Sequence, residues 1–320
     1  MGGNANQVVI TESKEVDYSM KTALIFPGQG SQYVGMGKDL YDGSTVARSM
    51  FQKADSILGY SLSEIAFSGP EEELKQTKNT QPAIFVHSVI LFSLMKDIRF
   101  DMTAGHSLGE YSALVAAGAL SFEDGLKLVR TRGKLMQQAG TDQPGMMAAV
   151  VGFNQKGIEE ICTEAATIGI VQAANYNSPG QIVISGSVAG VKKAIELSKA
   201  RGAKLVKELP VSGAFHSPLM EKASTELKAA IDSADIRNAS VPVYANVTAK
   251  PVTQAQEIRN LLFRQLTSPV QWEESVNNMA EDGAANFFEI GPGKVLQGLV
   301  KRIRSNVESR GFEKLTDVVV

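Results

Sequence analysis

The chain has 320 residues, 43% of them hydrophobic, and a formal net charge of −2 from 32 Lys and Arg against 34 Asp and Glu. This is enough apolar content for a substantial core, and too even a charge balance to draw in nucleic acid or an anionic membrane through a long-range field. A single cysteine, Cys162, excludes an intrachain disulfide framework, three histidines are too few for a Cys/His zinc cluster, and no apolar run reaches the roughly 18 residues of a membrane span.

Residues 1–20 mix Asn, Gln, Glu, Asp and Ser around one short apolar patch, VVI, without the basic and long apolar regions of a secretory signal, and read as a flexible leader or tag. TALIF at 22–26 predicts a first strand that ends in Pro-Gly, with GQGSQYVGMGKDLYD turning into a helix behind it. Residues 80–96, TQPAIFVHSVILFSLMK, open on Thr and Pro and then run apolar long enough for a buried helix. A weaker strand near 101–104 leads into GHSLGEYSALVAAGAL, whose alanines and leucines suit a close-packed helix. From 143 to 212 the period changes to β-α-β-β-α-β, the ferredoxin-like order, so this stretch is expected to be a self-contained insert. VPVYAN at 241–246 and NFFEIG at 286–291 then return the chain to alternating strands and helices. The expected fold class is α/β, with a large parallel-sheet domain built from 21–142 and 213–320 and interrupted by the small subdomain 143–212.

The chemistry concentrates in a few segments. GHSLG at 105–109 fits GxSxG, in which a serine sits on a tight strand-to-helix turn. Such an elbow exposes the Ser107 hydroxyl, aims a helix N-terminus at developing negative charge, and makes the Leu108 N–H a natural oxyanion donor. The plainer alternative is a surface turn in which Ser107 only caps a helix. A nucleophilic serine needs a base. His87 lies in the apolar run AIFVHSVILF and suits a buried core position; His106 adjoins Ser107 on a turn where neighbouring side chains diverge; His216, in the loop PVSGAFHSPLM, remains by elimination, with His106 the open alternative. No acid stands out as a third member. Glu110 is too near Ser107 along the helix and reads as a first-turn residue favoured by the dipole, so a backbone or amide carbonyl is the other candidate to orient the imidazole. FPGQGSQ at 26–32 and GPGK at 291–294 satisfy neither phosphate-loop pattern; Gln29 reads better as a glycine-flanked amide offering a second oxyanion N–H. In KLVRTRGKLM, at most one or two of Arg130, Arg132 and Lys134 can face inward, and solvated surface charge is the default for each. A buried arginine there would suit a substrate carboxylate.

FPGQGSQ, GHSLGEYSAL, TRGKLMQ, NYNSPGQIVISG, AFHSPLM, SPVQW and FEIGPGKVL, in this order from about residue 22 to 304, resemble the malonyl-CoA:acyl carrier protein transacylase family of fatty acid synthesis. The resemblance implies an α/β-hydrolase-like large domain with a ferredoxin-like insert. It implies that Ser107 accepts the acyl group, His216 is the general base, Arg132 pairs with the free malonyl carboxylate, and Gln29 and Leu108 form the oxyanion hole through their N–H groups. It further implies that the main-chain carbonyl of Gln271, in SPVQW, orients the histidine, and that Asn177, in NSPGQ, lines the same cleft. The implied reaction is ping-pong transfer of malonyl from malonyl-CoA to holo acyl carrier protein, with no metal or redox cofactor, in a cytoplasmic monomer; the leader leaves organelle import open. The rival readings are a serine hydrolase or thioesterase using the same dyad, and an inactive carrier-docking module. Arg132 discriminates the first, and formation of a Ser107 adduct the second.

Overall fold

A computed structural model describes residues 20–318 apart from Asp97 and Ser212; the leader expected at 1–20 falls, Met20 aside, outside the described residues. In chain order the strands are β1 (Lys21–Phe26), β2 (Met102–Gly105), β3 (Gly145–Val151), β4 (Val171–Ser178), β5 (Gln181–Ser187), β6 (Leu205–Glu208), β7 (Val243–Tyr244), β8 (Pro251–Val252), β9 (Ala284–Ile290) and β10 (Glu308–Phe312). They divide into a large sheet ordered β10-β9-β1-β2-β7-β8 and a small one ordered β4-β5-β3-β6.

The apolar run of β1 is what a strand covered on both faces requires. Leu24 and Phe26 pack into the main core with the helix Thr77–Leu94, while Ala23 and Ile25 join a second cluster with Val270, Trp272 and Phe287. Pairing is parallel from β10 through β9, β1 and β2 to β7, and β8 is an antiparallel edge. This is the α/β-hydrolase-like large sheet. Parallel strands bring all their carboxyl ends to one edge, where open α/β sheets bind ligands. The register sets Phe26 opposite Gly105 and Ala104 opposite Tyr244. FPGQG, GHSLG and the Asn246 loop therefore leave the sheet side by side.

The small sheet is antiparallel throughout and carries the helices Gln155–Ala165 and Val188–Ala200. Ile158, Ile161, Ile184 and Val191 form part of a core of its own. Its strands run from Gly145 to Glu208 in the ferredoxin-like order, inside the 143–212 window. It is stitched to the large sheet's loops where the Tyr176 N–H donates to the Val270 carbonyl at 2.9 Å and the Val270 N–H donates to that of Ala174 at 2.8 Å.

Several local expectations change. The helix expected from Thr80 begins at Thr77, so Pro82 lies inside it. Proline has no N–H for the Lys78 carbonyl, and Arg130 supplies the missing donor at 2.9 Å. Residues 29–37 stay in turns, with Gly30, Gly35 and Gly37 at positive φ, and the helix after β1 spans only Lys38–Gly43. The stretch 241–246 contributes only Val243–Tyr244 to the sheet. The edge strand β10, ESRGF, has no apolar alternation to announce it. GPGK is a turn whose following helix, Val295–Ile303, has its N-terminus filled by the buried Glu289 carboxylate, which accepts from the Leu296 and Gln297 N–H groups at 3.0 Å each. No described helix is long and apolar enough to cross a membrane.

Candidate active site

Ser107 stands at the carboxyl end of β2, on the turn before the helix Gly109–Ala116, at φ 51. A non-glycine residue held there costs on the order of 1–3 kcal/mol, so neighbouring bonds must hold it. They do so from both sides: its N–H donates to Asn246 Oδ1 at 2.7 Å, and its carbonyl accepts from Gln265 Nε2 at 3.0 Å. The glycines of the turn are steric requirements. A Cβ on Gly105 would lie 1.9 Å from the Gly109 carbonyl carbon, and one on Gly109 would lie 2.0 Å from the Phe26 carbonyl oxygen. Gly28, whose Cβ would stand 2.4 Å from the His106 carbonyl oxygen, allows the PGQG loop to close against the same turn.

Ser107 Oγ lies 2.8 Å from His216 Nε2, and His216 is itself at φ 56. The imidazole Nδ1 faces two carbonyl oxygens, Gln265 at 3.0 Å and Ser268 at 3.2 Å. Carbonyls only accept, so Nδ1 carries the proton and Nε2 is left to accept from the Ser107 hydroxyl. Burial first, and the Arg132 cation second, hold the imidazole down at about 3, so it is neutral at physiological pH. Gln172 Nε2 donates to the His216 carbonyl at 2.9 Å and steadies the loop from the small sheet.

The other histidines lie elsewhere. His106 shares a 2.8 Å hydrogen bond with Asn177 Oδ1 and packs on Trp272, so Asn177 reaches the site through His106 rather than the Ser107 hydroxyl. His87 is buried in the helix Thr77–Leu94.

Gln271 does not orient the imidazole. It is the N-cap of the helix Trp272–Glu281, and its carbonyl accepts from the Ser275 N–H at 2.9 Å and the Ser275 hydroxyl at 2.8 Å. The acceptor comes instead from Gln265, the last residue of the helix Ala255–Gln265, where end carbonyls lack intrahelical donors. Glu110 does lie in the first turn of the helix Gly109–Ala116, and it has partners the sequence did not announce. Its side chain is buried, and Oε2 accepts from the Asn246 N–H at 3.0 Å and from Gln265 Nε2 at 2.8 Å. Burial raises this carboxyl to about 7, against the lowering effects of Gln265, Asn246 and Arg132.

Of Arg130, Arg132 and Lys134 on the helix Phe122–Asp142, Arg132 is fully buried. Lys134 is exposed, and Arg130 lies over the Tyr60 ring. Gly133 clears the way for the close helix contact, since a Cβ there would stand 2.9 Å from the Thr77 carbonyl oxygen. Arg132 Nη1 donates to Gln81 Oε1 at 2.8 Å; Nη2 donates to Ser107 Oγ at 2.9 Å and to Gln265 Oε1 at 3.0 Å. No described carboxylate lies within 4.0 Å of it. The guanidinium is thus held beside the serine by neutral oxygens, with its charge unpaired.

Leu108 is the N-cap of the elbow helix, and Gln29 sits on the adjoining loop with its side chain 3.4 Å from Thr77 Oγ1. Among the described residues neither backbone N–H is engaged by a main-chain carbonyl. Sequence reasoning passed over Gln81, Gln172, Asn246, Gln265 and Ser268. A weak signal existed for two of them: Gln81 lies just before the apolar run of its helix, and Asn246 lies two residues past a buried strand.

An acyl transferase domain model matches residues 23–313. The chain is 48% identical over 292 residues to the malonyl CoA-acyl carrier protein transacylase of Bacillus subtilis (strain 168), covering 90% of this chain and 92% of that one. It is similar in structure to the malonyl CoA-acyl carrier protein transacylase of Coxiella burnetii, with a TM-score of 0.90 at 40% identity over 94% of this chain and 96% of that one. It also resembles a malonyl-transacylase solved in complex with its type II PKS acyl-carrier protein, with a TM-score of 0.89 at 40% identity over 93% and 98% of the two chains.

Proposed function

This chain belongs to the malonyl-CoA–acyl carrier protein transacylase family, and we propose that it carries malonyl from malonyl-CoA to the pantetheine thiol of holo acyl carrier protein as an ester on Ser107. In the first half-reaction His216 Nε2 takes the hydroxyl proton as Ser107 Oγ attacks the thioester carbonyl. The N–H groups of Gln29 and Leu108 receive the oxyanion. Collapse breaks the carbon–sulfur bond, and His216 returns the proton to the departing coenzyme A sulfur. In the second, the carrier thiol gives its proton to His216 and attacks the malonyl ester, and Ser107 leaves with that proton. The Gln265 and Ser268 carbonyls steady the transient imidazolium as an acid would.

The observation that carries this reading is the unpaired Arg132 guanidinium, 2.9 Å from the oxygen that holds the acyl group. In a malonyl ester a single CH₂ separates the ester carbonyl carbon from the carboxylate carbon, so an acyl group on Ser107 carries its carboxylate within reach of that cation, and a buried cation without a partner is expensive unless the substrate supplies one. A simple esterase has no use for it. Proton transfer and hydrogen bonding suffice for every step, so we assign no metal or redox cofactor; one chain supplies every site residue, so we assign a monomer, working on coenzyme A thioesters in the bacterial cytoplasm. The solved complex of a similar malonyl-transacylase with its carrier supports the choice of partner. Incubation with malonyl-CoA and holo carrier, following malonyl-carrier and free malonate together, tests the reading. Malonyl-carrier is expected to dominate, and mostly free malonate would instead make the protein a hydrolase.

A further inference from the structure

Glu110 touches no reacting atom, yet two groups that frame Ser107 converge on it. The Ser107 N–H is held by Asn246, whose own N–H donates to Glu110 Oε2 at 3.0 Å. The Ser107 carbonyl is held by the Gln265 amide nitrogen, which also donates to Glu110 Oε2, at 2.8 Å. The Gln265 amide then has its oxygen toward Arg132 Nη2 at 3.0 Å.

An amide turned end for end would place its oxygen against the Ser107 carbonyl and Glu110 oxygens, and its NH₂ against the Arg132 donors. Every contact would then be like against like. Glu110 therefore helps decide which way Gln265 points. It does so from one residue away. A carboxylate in direct contact with Arg132 would occupy the N–H groups that a substrate carboxylate needs; with the amide between them, the acid partly balances the buried cation and leaves it without an ion-pair partner.

We propose that Glu110 is a positioning residue for acyl selection: through the Gln265 amide it holds the Arg132 guanidinium beside Ser107 Oγ and open to a carboxylate on the acyl group. This rests on the reading of Arg132 as the carboxylate clamp. It requires an acceptor oxygen at the Oε2 position, which glutamine can provide as well as glutamate.

The test compares the full chain with E110Q, E110L, E110D and R132A at pH about 8, where the carboxyl of Glu110 is mostly ionised. The readouts are kcat/KM for malonyl-CoA and acetyl-CoA with holo carrier, with circular dichroism and a thermal melt to establish folding. E110L is expected to lower the malonyl-to-acetyl ratio about 10- to 100-fold, as loss of an outer partner of a functional group commonly does, and E110Q to keep it within about threefold. If E110L does not fold, E110D serves, because the shorter side chain withdraws its oxygen from Gln265 and is expected to lower the ratio in the same direction. An unchanged ratio in a folded E110L or E110D, equal losses on both substrates, or a fall in E110Q as large as in E110L would overturn the proposal, provided R132A does lower the ratio. If R132A leaves the ratio intact, the clamp itself fails.

Discussion

The two sheets solve different problems. The small antiparallel sheet pairs without interruption along β3 and β5, is irregular only between β4 and β5 among its described ladders, has a core of its own around Ile158, Ile184 and Val191, and meets the site's neighbours through Gln172 and Asn177. The large sheet gathers its strand ends at one edge, and there it concentrates two residues at positive φ, a buried cation and a buried acid. Ladder hydrogen bonds satisfy backbone groups locally, whereas the strained edge is held by side chains distant in sequence: Asn246 and Gln265 lie 139 and 158 residues from Ser107. The difference separates a region that contributes mainly stability and a wall from one in which stability is given up for chemistry.

This contrast can be broken by substitution. Ser107→Ala or His216→Ala is expected to cut acyl loading by roughly 10⁴-fold or more while the protein still folds, read by mass spectrometry of the intact chain after brief exposure to malonyl-CoA. Persistent loading of S107A would remove the serine from its role. Arg132→Ala should cost about 2–5 kcal/mol of transition-state binding for malonyl-CoA and much less for acetyl-CoA, seen as a difference in kcat/KM. In the small sheet the outcome should reverse. Ile184→Ala is expected to lower unfolding free energy by about 2–5 kcal/mol in a denaturant titration and to leave the malonyl-to-acetyl ratio of the folded fraction unchanged. A changed ratio would mean that the two regions are coupled more tightly than the contacts of Gln172, Asn177 and Val270 suggest. Gln172→Leu, at their junction, should cost about 0.5–1.5 kcal/mol for one lost hydrogen bond to the His216 carbonyl.

The acid dependence of stability sharpens the same point at two buried groups of the large sheet's edge, His216 and Glu110. His216 is held at about 3 against an ordinary value of 6.5, so between those values the unfolded chain binds more protons than the native one. Its contribution is present above pH 6.5 and is lost as pH falls toward 3. Glu110, raised from 4.5 to about 7, acts in the opposite sense: its contribution is present below pH 4.5 and is lost as pH rises through 7. His216→Gln should therefore flatten the acid side of a plot of unfolding free energy against pH, and Glu110→Gln the neutral side. Unchanged slopes in both would show that neither group is buried as described.

Much of this was legible in the sequence, for local reasons. An apolar run, a glycine on either side of a serine, and a βαββαβ alternation are each written in adjacent residues, and they announced the two sheets and the elbow at Ser107. Sequence likewise favoured His216 among the three histidines, since His87 lies in an apolar run and His106 adjoins Ser107 on a turn where side chains diverge, and it left His106 as the alternative. Tertiary structure alone decided the partners. Which carbonyl meets His216 depends on where one helix ends and the next begins: Gln271 caps the start of a helix and its carbonyl accepts from Ser275, and Gln265 ends one with its carbonyl turned to the imidazole and to the Ser268 N–H. Arg132 is buried and Lys134 exposed because the helix packs on Thr77–Leu94 with one face, which spacing along the chain does not specify. Glu110 was the clearest such case. Its place in the first turn suggested a carboxylate favoured by a helix dipole, and only the return of Asn246 and Gln265 from far along the chain makes it the buried acceptor around which the Ser107 turn is tied. Hydrogen bonds between residues more than a hundred positions apart leave no periodicity to read, and they come into being only when the sheet brings its edges together.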